Sequence, residues 1–127
     1  MPVTESVRPW AFLLAEAPNH ISRDNVVIAA GAGKLAPGTV LGKVTSTGLP
    51  ATGKYVPSPA TGSDGSQVAV AVLGVAVDAT SADVPAAVVA RRAEVVAGSL
   101  AYDTSVNDAT KRAAKATQLA AVGITVR

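Results

Sequence analysis

The stretch Val68-Ala-Val-Ala-Val-Leu-Gly-Val-Ala-Val77 carries no polar side chain, and its reading decides the fold. A helix that crosses a bilayer needs about 20 apolar residues, so this run is too short for one. It reads as a buried strand. Valines at 68, 70 and 72, then at 75 and 77, set β-branched side chains on one face, with Ala69, Ala71 and Leu73 on the other. Both faces are apolar, so both need a cover. Gly74 falls where the valine register slips by one residue, the mark of a bulge or of a close crossing by another part of the chain.

The cover has to come from valine and alanine. The chain has 127 residues, one domain by length, with 49% hydrophobic but only 3% aromatic residues. Upstream of the central run, Val26-Val-Ile-Ala-Ala30 and Leu35-Ala-Pro-Gly-Thr-Val-Leu-Gly-Lys-Val44 read as strands, the second behind a Pro37-Gly38 turn. Lys54-Tyr-Val56 is a further short strand, followed by a surface loop from Pro57 to Gly65. Downstream, the paired valines of 84–92 and 93–102 predict two strands with Arg91-Arg92 as a solvated turn. One helix is predicted from about Val106 to Val122, capped by Ser105 and ended by Gly123, before a short strand Ile124-Thr-Val126. Its packed face is read as Val106, Ala109, Ala113, Ala116 and Ala120, with Lys111, Arg112 and Lys115 solvated. The fold class is mainly β, a β-rich α+β domain with one C-terminal helix.

Residues 1–24 read as an N-terminal arm and 25–127 as the domain. The arm holds Pro2, Pro9 and Pro18 and ends in the polar cluster Asn19 to Asn25, yet it also carries Trp10, Phe12, Leu13 and Leu14. Two of the chain's four aromatic residues lie there, which is odd for a loose end. Two readings stand: the pair folds back as a satellite core, or it anchors the arm on another molecule. Extended chain would align Trp10, Phe12 and Leu14, and a helix would align Trp10, Leu13, Leu14 and Ala17.

Groups that converge for catalysis are scarce. His20 is the single histidine and there is no cysteine, so neither a thiolate metal site nor a histidine pair is available. Asp64, Asp78 and Asp83 border the central run in Gly-, Ser- and Thr-rich contexts suited to turn capping. Gly31-Ala-Gly-Lys34 lacks the earlier glycine and the following Ser or Thr of a phosphate loop. A net charge of +2 with scattered basic residues implies no nucleic-acid binding, and the acidic, interrupted N-terminus predicts neither a secretion signal nor a membrane segment. No enzyme, cofactor or metal is expected.

The order of features resembles the small head decoration proteins of lambda-like tailed bacteriophages. The resemblance rests on Ser22 to Gly31 with Leu35 to Gly42, on Asp64-Gly65 through Val72-Leu-Gly-Val-Ala-Val-Asp78, and on Asp108-Ala-Thr-Lys-Arg112 to Gly123-Ile-Thr-Val126, and it covers about residues 12 to 127. It implies a compact, barrel-like β domain and a homotrimer on the capsid's local three-fold positions, stabilising the expanded shell against packaged DNA. It further implies a major capsid protein as partner, an N-terminal arm ordered by that contact, and residence on the virion's outer surface after assembly in the host cytoplasm; within the arm, Trp10, Phe12, Leu13 and Leu14 are the residues read as making the contact. The alternative is a small β-barrel module that binds a polymer such as glycan, with Tyr55 and Tyr102 as stacking surfaces.

Overall fold

The computed structural model describes residues 8–17, 21–45 and 53–127. Five strands close into a barrel: β2 (Arg23–Ile28), β5 (Tyr55–Pro57), β4 (Val40–Lys43), β6 (Ala69–Leu73) and β8 (Val84–Val89), in that order around the wall. β8 returns to β2 through six antiparallel pairs, from Arg23 with Val89 to Ile28 with Val84. The β2–β5 seam is parallel and consists of the pair Ile28 with Tyr55. It stops short because Pro57 has no N–H to continue the ladder. Beside the barrel, β1 (Leu13–Glu16), β9 (Ala93–Val95) and β10 (Ile124–Val126) form a sheet in the order β1-β9-β10, and β3 (Gly33–Leu35) pairs with β7 (Val77–Ala79). The mainly β class with one C-terminal helix is what the structure has.

The central apolar run is two strands, not one ribbon. β6 ends at Leu73, Gly74 turns, and β7 joins a different sheet. The register break is real but sits earlier than expected, opposite Leu41 and Gly42, where Val70 has no partner. One unpaired residue flips the side-chain alternation. Ala69 and Val72 therefore reach one cluster with Val40, Val89, Val95, Leu119 and Ile124, while Ala71 and Leu73 reach a second with Ile28, Leu41 and Val88. The valine face and the alanine face of the simple reading are thus interleaved.

The α1 helix (Ala109–Ala121) starts later than predicted, with Asp108 rather than Ser105 as its cap; the Asp108 carboxylate accepts from the Lys111 N–H at 2.8 Å. Gly123, at φ 89, closes the other end as read. The packed face is corrected in most of its members, although Val106, ahead of the helix, is buried as read. Lys115 and Leu119 are the buried helix residues, and Ala109, Ala113 and Ala120 face solvent. An alanine stripe has little area to bury, whereas Leu119, the half-buried Val122 and the lysine stems on the same side bring far more. The region after Val95 is also not a strand to Tyr102: a 3-10 turn spans Ala97–Ser99.

Candidate functional site

The N-terminal segment is the candidate site, and its described part lies on the domain. A turn at Pro9 to Phe12 leads into β1, which pairs antiparallel with β9: Leu13 with Val95, Ala15 with Glu94, and Glu16 with Ala93. Leu14 is the unpaired residue of that ladder, and the break points it outward at 53% exposure. Phe12 turns the opposite way and is 1% exposed, inside the first core cluster. Leu13 packs on the same cluster half-buried. The satellite-core reading therefore describes Phe12, which belongs to the main core itself. Neither the extended nor the helical alignment of these side chains holds.

Trp10 is fastened from three sides. Its N–H donates to the Gly74 carbonyl at 2.8 Å, and its indole lies where a Gly74 side chain would be. The close crossing expected at Gly74 is thus made by an aromatic ring. Above the ring, the Arg23 guanidinium sits 3.8 Å from the centroid. The same guanidinium grips Glu16 with two bonds of 2.7 and 3.0 Å. Trp10 holds φ 63, a left-handed conformation that costs a bulky residue on the order of 1 kcal/mol. The cation–π contact and the fork pair, each worth about 1 kcal/mol where partly buried, offset that strain. Ser22, fully buried, accepts from the Ala17 N–H and donates to the Arg92 carbonyl, joining the segment to the turn before β9. Arg91 pairs with Asp24 rather than standing free in solvent. Met1 to Val7 and the expected turn residue His20 lie outside the described residues.

Sequence reasoning missed Ser22, Arg23 and Lys115. Polar residues that satisfy distant backbone leave no periodic trace, and only the fold brings their partners near. Lys115, read as solvated, is 2% exposed and donates to Ser58 Oγ, Pro59 O and Gln67 O at 2.9, 2.6 and 2.6 Å.

Asp64 and Asp78 cap turns, as their sequence context suggested, whereas Asp83 reaches across the fold to another strand end and a lysine. Asp64 accepts from the Ser66 hydroxyl and N–H, Asp78 from those of Thr80, and Asp83 from Lys54 and the Ala30 N–H. These bonds, led by the Ser66 hydroxyl, the Thr80 hydroxyl and the Lys54 ammonium respectively, hold each carboxyl below the ordinary aspartate range. A carboxyl depressed in the folded chain adds stability that is complete above its unfolded pKa and is lost as pH falls through its folded one. Urea unfolding is accordingly expected to give a flat midpoint near neutrality and a falling one below about pH 4. Asp83→Asn should reduce that acid slope; an unchanged slope would remove Asp83 from the account. Tyr55 and Tyr102 are half-buried on different core clusters, and burial raises both phenols. They do not form one stacking platform. Gly31 and Gly33 make the turn into β3, with the Gly31 N–H on the Ala79 carbonyl, so they cradle backbone rather than phosphate.

Compared with known families, residues 2–124 match the family described as bacteriophage lambda head decoration protein D. The chain belongs to this family. It is a structural protein of the bacteriophage head, placed by family in the virion's capsid. The head decoration match extends back to residue 2, so it takes in the N-terminal segment as well as the barrel. No curated protein matches the chain.

Proposed function

We propose that this head decoration protein assembles as a homotrimer on the local three-fold positions of the expanded capsid and cements the shell against the pressure of packaged DNA. Family membership carries the reading. The lean core supports it: among the described residues Phe12 is the only aromatic side chain fully inside, and the other buried hydrophobic residues are Val, Ala, Leu and Ile. Burial between subunits would supply what such a core lacks.

The capsid contact is assigned to the N-terminal segment, with a division of labour among its residues. Phe12 and Leu13 fix the segment to its own domain, Trp10 sets the angle at which it leaves, and Leu14 meets the major capsid protein. β1 has β9 on one side and, among the described residues, no strand on the other. An open edge beside an exposed leucine suits strand addition, with backbone bonds for affinity and Leu14 for a pocket. Three such edges on one trimer would act at high effective concentration, so modest contacts could hold firmly.

Sedimentation of the protein with and without empty expanded heads tests attachment, and sedimentation velocity of the free protein tests the trimer. Leu14→Asp is expected to lower head occupancy at least tenfold, while the free protein's stability stays within about 0.5 kcal/mol, as for other surface changes. Full occupancy by the variant would remove β1 from the contact.

A further inference from the structure

Lys115 is buried, and its ammonium donates to three oxygen atoms. Its three acceptors come from the two ends of the surface loop 58–67: Ser58 and Pro59 at the entry and Gln67 at the exit. Ser58 cannot change role freely, because its own hydroxyl donates to the Ser66 carbonyl at 2.7 Å. An ammonium has three N–H donors for three acceptors. A neutral amine has two donors and a lone pair, and a carbonyl that faced that lone pair would lose its bond and be repelled. The neutral form can keep all three contacts only if the Ser58 hydroxyl turns to the amine's lone pair, and the Ser66 carbonyl then loses its bond.

We infer that the Lys115 ammonium is the pin that holds the 58–67 loop closed, and that removing its charge releases the loop. The loop matters because Pro59 and Ser66 form part of the wall of a cleft of about 770 Å³, whose lining also includes Ala29 to Ala32, Asp103 and the Lys54–Asp83 pair. The lysine thus positions one wall of that cleft from behind. Among the described residues the loop is also tied by the Ser58 N–H to the Val40 carbonyl, by the Ala60 N–H to Ser105 Oγ, and by the Thr45 N–H and hydroxyl to the Asp64 carbonyl.

The charges around the pin are few. Asp103, on the segment before α1, supports the ammonium. Asp64 within the loop is committed to Ser66, and Lys111, one turn earlier on α1, is turned to Asn107 and Asp108. Burial is the larger influence and lowers the lysine below its ordinary pKa, with Asp103 opposing. The charge is therefore lost at lower pH than on an exposed lysine.

Carbon-detected NMR of the full chain between pH 7 and 11 reads the pin directly. The Lys115 Cε resonance and the Gly62 and Gly65 Cα resonances should move together with one midpoint, below the roughly 10.4 of an ordinary lysine. Lys115→Met, close in shape and without charge, should show the released loop positions already at pH 7. The Gly65 and Ser66 amides should then exchange about tenfold faster, the equivalent of one lost hydrogen bond. Loop resonances that stay still while Lys115 titrates would overturn the inference, as would a variant with wild-type loop shifts at pH 7. If the variant does not fold, the wild-type titration alone decides.

Discussion

Phe12→Ala is expected to destabilise the free protein by about 3–5 kcal/mol, the usual cost of emptying a large buried aromatic site. Phe12 is 1% exposed and meets side chains from the barrel, from β9, from α1 and from β10. No single neighbour can move in to fill the space. An arm residue that merely awaited a partner would give a different result: weaker head attachment with an unchanged melting temperature. Chemical denaturation of the free protein separates the two, and a loss below about 1 kcal/mol would mean that the segment is not part of the fold in solution. By the same logic, truncation through residue 17 removes core as well as contact surface. Leu14→Asp, which leaves Phe12 in place, is the cleaner test of attachment.

The second large effect is expected at Gly42, a position with ordinary backbone angles. A methyl group there would fall on the Ser66 carbonyl, which is backbone and cannot swing aside. Gly42→Ala should therefore push the 58–67 loop away from β4. The shift would strain the bond from Ser58 to the Ser66 carbonyl and the Lys115 contacts behind it. A cost of about 3 kcal/mol is expected, at the upper end for overpacking. The urea midpoint measures it. By contrast, Gly53→Ala meets no atom of the described residues within 4 Å but sits at φ 91, so its smaller cost would come from backbone strain. Equal losses at the two positions would rule out the steric account.

The contrast between these glycines shows what sequence reading reaches. Turns leave local signals, so the Pro37-Gly38 turn, the Arg91-Arg92 turn and the Gly123 cap were legible. Short valine runs likewise located β2, β4, β5, β6, β8 and β10 to within a few residues. Which way a side chain points depends on partners that the local sequence does not name. Val70 has no partner because of how β4 lies beside it, and that one residue rearranges both core clusters. Lys115 reads as solvated by type, and only the distant oxygens of the 58–67 loop make burial affordable. At the candidate site, the composition pointed to Trp10, Phe12, Leu13 and Leu14 as a group. The ladder with β9 is what divides them into buried and exposed members.

The β1-β9-β10 sheet also sets the order in which the molecule can come into being. Its three strands are drawn from opposite ends of the described chain, with β9 between a strand at Leu13–Glu16 and one at Ile124–Val126. Pairings so distant in sequence are slow to form and close late in folding. On the ribosome, β1 emerges before β9 and cannot be seated until β9 follows, and the core around Phe12 lacks Leu119 and Ile124 until α1 and β10 appear. A partly made subunit would therefore present no finished edge to a capsid. The edge offered by β1 is thus finished only when β9 and β10 are both in place.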